Sequence, residues 1–295
     1  MTSRVPVNKP KRIVFLGTPH AAVAPLQRLH QAGFDIVLVV SMADKRRGRG
    51  RTVSPSPVKA AAIELGLEVT DDVNAVKSVD ADLGVVVAYG RIIKPDILNH
   101  LPMVNIHFSL LPRWRGAAPV ERAVLAGDTE TGVCLMEVAE GLDEGAVYSR
   151  KAIPIEPTQS VAELRSALSE LGAELLVEQL SNGLPEPEPQ VGEATYAAKI
   201  DPSEYELDLT RPAQELMGVV RLGQAWTRFR GKRVKITAAE VHPGNSGAAG
   251  KISGADLSTG SGILRLVEVK PEGKRAMDAK SWINGAQPQP EEHFG

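Results

Sequence analysis

Three residues have the types and spacing that acyl-group chemistry could use. Asn105 and His107 are separated by one position in the segment VNIHFSLLP. If residues 104–107 form a strand, both side chains project from the same face, because side chains alternate along a strand. Asp143 lies in the segment GLDEG, whose glycines are typical of a loop.

An amide and an imidazole that point at one spot suit acyl transfer. Asparagine donates through its NH₂ group, and a protonated histidine donates through both ring nitrogens. Such donors stabilise the oxyanion of a tetrahedral intermediate, and loss of one donor typically raises the barrier by about 3 kcal/mol. A neighbouring carboxylate favours the protonated imidazole and can relay protons. Asn105, His107 and Asp143 are therefore the candidate catalytic residues, but this pattern alone leaves the reaction open.

Motifs for several other chemistries do not occur in the sequence. The G-x-S-x-G nucleophile motif is absent, and the single cysteine, Cys134, lies in an apolar segment without an obvious base. We therefore expect no covalent acyl-enzyme. The segment Gly17-Thr18-Pro19 lacks the dinucleotide spacing, and neither a Walker A sequence nor H-E-x-x-H is present. The six histidines are scattered, so we expect no protein-bound metal.

The elements that position these residues form an α/β pattern. Short β-branched runs alternate with helical patterns in the first half, which predicts a Rossmann-like parallel sheet wrapped by helices. Strands are predicted at 12–16, 36–40, 83–88, 104–107, 132–138 and 147–153, and helices at 20–32, 57–65, 117–126 and 160–180. Asn105 and His107 would then lie at the C-terminal end of a strand, where open parallel sheets bind ligands.

The composition changes after residue 180. The segment SNGLPEPEPQ is rich in proline and acidic residues, which is typical of an extended linker. A predicted helix at 212–221 and strands at 234–239 and 263–269 follow, with glycine-rich turns between them. This pattern indicates a small β-barrel-like domain. We divide the chain into an N-terminal extension at 1–11, an α/β domain at 12–180, a linker at 181–204 and a β domain at 205–295.

Length and composition bound the class of protein. A chain of 295 residues with 43% hydrophobic residues is long enough for two domains with buried cores. The apolar run that follows the basic start is too short for a signal peptide or a membrane span, so we expect a cytoplasmic protein. The net charge is −2, so any nucleic acid would need a local basic patch. The segment KRRGRGR at 45–51 is such a patch, although charge runs are usually solvated loops.

The sequence resembles the methionyl-tRNA formyltransferase family. The block NIHFSLLPRWRGAAPV resembles the signature of formyltransferases that use 10-formyltetrahydrofolate. The blocks FLGTP, VVVAYG, AGDTETG and PEGKRAM resemble the members that act on tRNA. The resemblance extends over residues 12 to 284 and implies a Rossmann-like formyltransferase domain followed by an OB-like, tRNA-binding barrel.

The resemblance also implies a function in translation initiation. It further implies roles for individual residues in catalysis and in binding of folate and tRNA. The methionyl α-amine would attack the formyl carbon while Asn105 and His107 hold the oxyanion, and Asp143 would assist proton transfer to the folate nitrogen. The residues expected to shape the folate site are Val87, Ala88, Tyr89, Ser109, Leu110, Leu111 and Pro112. The residues expected to bind the initiator methionyl-tRNA are Lys45, Arg46, Arg47, Arg49 and Arg51. We expect no metal, no membrane contact and a monomer.

Two alternative functions remain open at this point. A formyltransferase that acts on an amino sugar or another small amine would share the three candidate catalytic residues but would have no use for the basic segment. A catalytically silent tRNA-binding protein would use the basic segment and the barrel alone, and the presence of Asn105, His107 and Asp143 argues against it.

Overall fold

Two compact units make up the chain. The computed structural model describes residues 8–47, 52–244 and 247–295. The first unit consists of Met1–Pro119, Glu130–Pro154 and Arg165–Ala197, and the second consists of Val120–Thr129, Ile155–Leu164 and Ala198–Gly295. Each unit has its own sheet.

In the part of the chain that the structure describes, eleven strands precede residue 198. They are β1 Arg12–Gly17, β2 Asp35–Val40, β3 Lys45–Arg47, β4 Thr52–Ser54, β5 Val69–Thr70, β6 Leu83–Val87, β7 Met103–His107, β8 Arg115–Gly116, β9 Glu130–Glu137, β10 Val147–Pro154 and β11 Tyr196–Ala197. Seven of them form one sheet in the order β10-β9-β7-β6-β1-β2-β5. The pairs from β7 to β5 are parallel, whereas β9 and β10 are added antiparallel.

The strand order places a topological switch point between β1 and β6. From there the chain builds outward through β2 and β5 on one side and through β6 and β7 on the other. All five residues of β6 are buried, as its continuous apolar run predicts for a strand covered on both faces. The carboxyl ends of β6 and β7 therefore lie side by side at the edge where such sheets bind ligands.

Among residues 8–47 and 52–197, five α-helices begin. They are α1 Val23–Gln31, α2 Pro57–Glu64, α3 Pro95–Leu98, α4 Pro119–Leu125 and α5 Val161–Asn182. A reciprocal capping box begins α5, because the Glu163 amide donates to Ser160 Oγ at 3.2 Å and the Ser160 amide donates to Glu163 Oε2 at 2.8 Å.

Helix α5 packs closely on strand β7. A Cβ atom at Gly172 would lie 2.7 Å from Ile106 Cγ2. Only a glycine leaves enough room for the helix backbone to approach the strand at this position. The contact supports the strand that carries Asn105 and His107.

The second unit contains an antiparallel sheet. Its strands are β12 Trp226–Phe229, β13 Lys232–His242, β14 Ile252–Ser253, β15 Asp256–Ser258, β16 Ile263–Pro271 and β17 Met277–Asp278, and its helices include α6 Ala213–Arg221 and α7 Ala279–Ala286. The sheet order is β12-β13-β16-β15-β14, with β17 also paired to β16. Rings of Phe229, Trp282 and Phe294 pack in its core with centroids 5.1–5.4 Å apart.

The fold class predicted from the sequence is confirmed: a parallel-sheet, Rossmann-like domain precedes an antiparallel β domain. The basic segment differs in detail from the predicted loop, because Lys45–Arg47 forms strand β3 and pairs with β4. Arg49 and Arg51 lie outside the described residues. The predicted helix at 20–32 begins with a 3-10 turn at His20–Ala22. None of the helices that the structure describes is long and apolar enough to cross a membrane.

The buried face of β1 generates a stability prediction. Phe15 is fully buried, whereas Ile63 on α2 is 57% exposed. We expect Phe15→Ala to lower the free energy of unfolding by about 3–5 kcal/mol because it leaves a cavity. Ile63→Ala should change it by less than about 0.5 kcal/mol. Urea unfolding followed by circular dichroism measures both, and equal midpoints for the two variants would contradict the proposed core.

Candidate active site

Strand β7 presents Asn105 and His107 on one face. Asn105 is half-buried, and His107 is buried with 5% of its surface exposed. Hydrogen bonding to β6 on one side and to β9 on the other fixes the backbone of this strand. Both side chains are therefore attached to a backbone that neighbouring strands hold in place. This restraint favours a well-defined orientation of Asn105 and His107.

The two ring nitrogens of His107 have different partners. Nε2 lies 2.9 Å from the carbonyl oxygen of Trp114. Because a carbonyl oxygen only accepts hydrogen bonds, Nε2 carries a proton in this arrangement. Nδ1 faces Asp143 Oδ2 at 3.6 Å, which is longer than a hydrogen bond but close enough for a charge interaction when the ring is doubly protonated. The predicted meeting of His107 and Asp143 is thus present in the structure.

A backbone amide holds the Asp143 carboxylate beside the imidazole. The amide of Gly116 donates to Asp143 Oδ2 at 2.7 Å. Asp143 itself has a φ of 52°, in the left-handed region that residues with a side chain rarely adopt. Only 16% of its side chain is exposed. The carboxylate is therefore held by a fixed dipole in a shielded position, where charge interactions are stronger than in water.

The chain between β7 and α4 folds back on itself. Ser109 Oγ donates to the carbonyl oxygen of Arg113 at 2.6 Å, and the Leu111–Pro112 peptide bond is cis. Thr195 Oγ1 accepts from the amide of Trp114 at 2.9 Å. The two hydrogen bonds, from Ser109 and to Thr195, fix the backbone that presents the Trp114 carbonyl to His107.

The residues predicted to contact folate lie in two adjacent segments. Residues 87–89 end β6, and residues 109–112 follow β7, so both segments lie at the carboxyl edge of the sheet. Four of the seven side chains are buried with at most 3% exposure: Val87, Tyr89, Ser109 and Leu111. Ala88 is exposed, and Leu110 and Pro112 are half-buried. The structure brings the two segments together but leaves mainly these three side chains available to a ligand.

Leu111 points into a small apolar cluster. It packs with Cys134, Met136 and Val147. Burial raises the pKa of the Cys134 thiol, which keeps it protonated near neutral pH. A protonated buried thiol is a poor nucleophile, in agreement with the sequence-based expectation of no covalent acyl-enzyme.

Several functional contacts were not predicted from the sequence. The Trp114 carbonyl and the Gly116 amide act through the backbone, so their residue types give no signal. Gln190, in the predicted linker, donates to carbonyl oxygens of the Asp143 loop. A proline-rich segment is typical of a linker, so the residue pattern carries no signal for this contact of Gln190. Among residues 8–47, 52–244 and 247–295, no cluster of three or more His, Cys, Asp or Glu side chains could hold a metal ion.

Family models match both parts of the chain. The formyl transferase model matches residues 11–180, and the model of the formyl transferase C-terminal domain matches residues 199–287. The chain belongs to the formyl transferase family. This family assignment agrees with the resemblance seen in the sequence, and the first match contains Asn105, His107 and Asp143.

Curated relatives in the formyl transferase family match over nearly the full length. A methionyl-tRNA formyltransferase of Jannaschia sp. is 41% identical over 296 residues, which cover 95% of this chain and 98% of the relative. A methionyl-tRNA formyltransferase of Symbiobacterium thermophilum is also 41% identical, with 93% of this chain and 92% of the relative covered.

Solved structures share the fold at lower identity. An N-formyltransferase from Helicobacter canadensis, in complex with folinic acid and dTDP-3-aminofucose, superposes with a TM-score of 0.68 at 17% identity and covers 87% of this chain and 98% of that one. HypX from Aquifex aeolicus superposes with a TM-score of 0.66 at 17% identity over 92% of this chain. The chain spans about half the length of HypX, with 48% covered.

Proposed function

We propose that this formyltransferase moves the formyl group of 10-formyltetrahydrofolate onto the α-amine of initiator methionyl-tRNA. The observation that carries the proposal is the 41% identity to methionyl-tRNA formyltransferases over 95% of the chain. The match extends through the C-terminal domain. The structural neighbours that bind sugar nucleotides are only 17% identical and support the fold alone.

The reaction requires stabilisation of an oxyanion and transfer of a proton. The amine nitrogen attacks the formyl carbon, a C–N bond forms, and the carbonyl oxygen becomes an oxyanion. Collapse of this intermediate breaks the bond between the formyl carbon and N10 of the folate. The proton released by the attacking amine must reach the departing N10. No covalent enzyme intermediate is needed, because the attacking amine belongs to the substrate.

Asn105 and His107 would bind the oxyanion. The NH₂ group of Asn105 is a donor on the same face of β7 as the imidazole. The Nε2 proton of His107 is directed to the Trp114 carbonyl, so Nδ1 is the nitrogen that would donate when the ring is doubly protonated. Its 3.6 Å separation from Asp143 Oδ2 is compatible with donation to an added oxygen.

Asp143 would stabilise the protonated imidazole and relay the proton. Its carboxylate is largely shielded beside the ring, with Oδ2 3.6 Å from Nδ1 of His107. A carboxylate held by the Gly116 amide can accept the proton of the attacking amine and return it to N10. No net proton is gained or lost by the protein over one cycle.

The folate would bind at the carboxyl edge formed by β6 and β7. Residues 87–89 and 109–112 shape this edge. Ala88, Leu110 and Pro112 would supply side-chain contacts, and the backbone of the buried neighbours would supply polar contacts. A folate bound at this edge would bring N10 near the face of β7 that carries Asn105.

The basic segment would bind the phosphates of the tRNA. Lys45–Arg47 forms β3 and is followed in the sequence by Arg49 and Arg51. Cations that neutralise phosphates supply affinity that does not depend on sequence. In this proposal the formyltransferase domain spans 12–180, the tRNA-binding domain spans 205–295, and the enzyme acts as a cytoplasmic monomer.

A panel of acceptors tests the proposal directly. The purified protein is incubated with 10-formyltetrahydrofolate and, in parallel, with initiator methionyl-tRNA, free methionine or a dTDP-amino sugar. We expect transfer to the methionyl-tRNA alone. Transfer to the amino sugar instead would reject the tRNA acceptor while retaining formyl-transfer chemistry. Tight tRNA binding without any transfer would identify a binding protein.

The catalytic role of His107 is tested by replacing the ring. We expect His107→Ala to lower kcat at least about 10³-fold, because it removes an oxyanion donor and a proton-transfer group. His30→Ala, at an exposed position on α1, is the matched control and should retain full activity. Single-turnover assays with charged tRNA measure both variants, and comparable rates for the two would reject the assignment.

The role of the basic segment is tested by neutralising its five cations. Replacing Lys45, Arg46, Arg47, Arg49 and Arg51 by glutamine should raise KM for the tRNA and leave folate affinity unchanged. The plot of log kcat/KM against log salt concentration should become shallower by about 0.7–0.9 for each phosphate that the protein no longer neutralises.

A second charge variant controls for net charge. Arg28, Lys77 and Lys151 are surface cations in ion pairs with Glu170, Asp96 and Glu178. A variant with these three residues replaced by glutamine should show the same salt dependence of kcat/KM as the wild type. The first variant removes five cations and the second removes three, so the shifts are compared per charge removed. If the two variants shift the salt dependence equally per charge, the basic segment has no specific role.

A further inference from the structure

A segment that contains none of the three candidate catalytic residues lies across the loops that hold those residues in place. Residues 188–197, here called the strap, belong to the first unit and hydrogen-bond to other parts of it at both ends. Glu188 and Val147 exchange two backbone bonds of 2.8 and 2.9 Å, and β11 at the other end pairs with β8. Between these ends lies Gln190, whose side chain hydrogen-bonds to two separate loops.

The Gln190 amide makes four hydrogen bonds. Its nitrogen donates to the carbonyl oxygens of Asp143 at 2.8 Å and Gly145 at 2.9 Å. Its oxygen accepts from Nε and Nη2 of Arg115 at 3.0 and 2.8 Å. An amide side chain has two N–H donors and an oxygen with two lone pairs, so its capacity is fully used.

These partners fix the orientation of the amide. Carbonyl oxygens cannot donate and a guanidinium cannot accept, so a flipped amide would oppose like groups on both sides. The Arg115 side chain is only 13% exposed, and its carboxylate partner, Glu144, is 3.4 Å away and half-exposed. Gln190 therefore provides the shortest hydrogen bonds to this shielded guanidinium.

The four bonds connect the two loops that contact His107. On one side, Arg115 lies between Trp114, whose carbonyl binds Nε2 of the imidazole, and Gly116, whose amide binds the Asp143 carboxylate. On the other side, the bonded carbonyls are those of Asp143, whose backbone is left-handed, and of Gly145, two residues later. Gln190 thus closes a ring of hydrogen bonds that passes through the main-chain carbonyl and the side-chain carboxylate of Asp143.

We propose that Gln190 is a positioning residue that sets the distance between the Asp143 carboxylate and Nδ1 of His107. Its side chain hydrogen-bonds to Arg115, Asp143 and Gly145 and would act on the imidazole through Asp143. The inference rests on the proposed function for its kinetic consequence, but its structural consequence stands apart from any acceptor. A loop whose backbone conformation is intrinsically disfavoured needs such an external restraint.

Two substitutions separate positioning from packing. Gln190→Met keeps the length of the side chain and removes all four hydrogen bonds. Gln190→Glu keeps the acceptors for Arg115 but places a carboxylate oxygen against the carbonyls of Asp143 and Gly145. Gln31→Glu, at the exposed end of α1, controls for the added charge.

The kinetic readout is the separation of kcat from KM. We expect both Gln190 variants to lower kcat about 10- to 100-fold, since misplacement by about 1 Å can cost that much in rate. KM for 10-formyltetrahydrofolate should remain within about threefold of the wild type, because the strap does not carry the predicted folate residues. Gln31→Glu should match the wild type in both constants.

The decisive readout is the ¹⁵N signal of His107 Nδ1, which does not require turnover. The His107 signals are assigned by their disappearance in His107→Asn, and Asp143→Asn gives the reference for a ring without its carboxylate. We expect Gln190→Met to move the Nδ1 signal toward that reference and Gln31→Glu to leave it in place. An inactive wild type would reject the proposed function, while this signal would still decide the role of Gln190.

Two results would overturn the inference. The first is an Nδ1 signal and a kcat in Gln190→Met that match the wild type. The second is a loss of dispersed ring signals and a lowered thermal midpoint in both Gln190 variants, which would make Gln190 a general structural residue. A shifted Nδ1 signal with an unchanged thermal midpoint supports the positioning role.

Discussion

The proximity of the Asp143 carboxylate to the His107 ring is the constraint on which the rest of the site depends. A carboxylate and an imidazole 3.6 Å apart, both largely shielded, interact strongly only if their backbones keep that distance. Strand β7 supplies one backbone as part of a seven-stranded sheet. The other comes from a loop with no regular structure, so the Gly116 amide and the strap must replace the restraints that a sheet would provide.

The sequence predicted the elements whose signals are local and periodic. The apolar run of β6 and the capping box of α5 identify structure within a few residues. The resemblance to the formyltransferases predicted that residues after β6 and β7 would shape one site, and the common edge of the two parallel strands brings those segments together. The prediction that Asn105 and His107 share one face required only the alternation of side chains along a strand.

The remaining features could not be predicted because they depend on contacts distant in the sequence. Gln190 lies 47 positions from Asp143, and no periodicity connects them. The Trp114 carbonyl and Gly116 amide belong to the backbone, which carries no residue-specific signal. Strand β3 is highly charged, and charge runs favour an exposed loop in any interpretation based on composition. Pairing with β4 overrides that preference.

The division of the chain into units has a consequence for dissection of the protein. Residues 120–129 and 155–164 pack with residues 198–295, although β9 and β10 between them belong to the first unit. Leu125 lies against the apolar core of the second unit, and the Arg221 guanidinium binds the carbonyl oxygens of Glu156 and Gln159. A fragment that begins near residue 198 would therefore expose apolar surface and leave the Arg221 guanidinium without these two acceptors. The second unit is therefore discontinuous in the sequence, and a fragment that keeps its core must include residues 120–129 and 155–164.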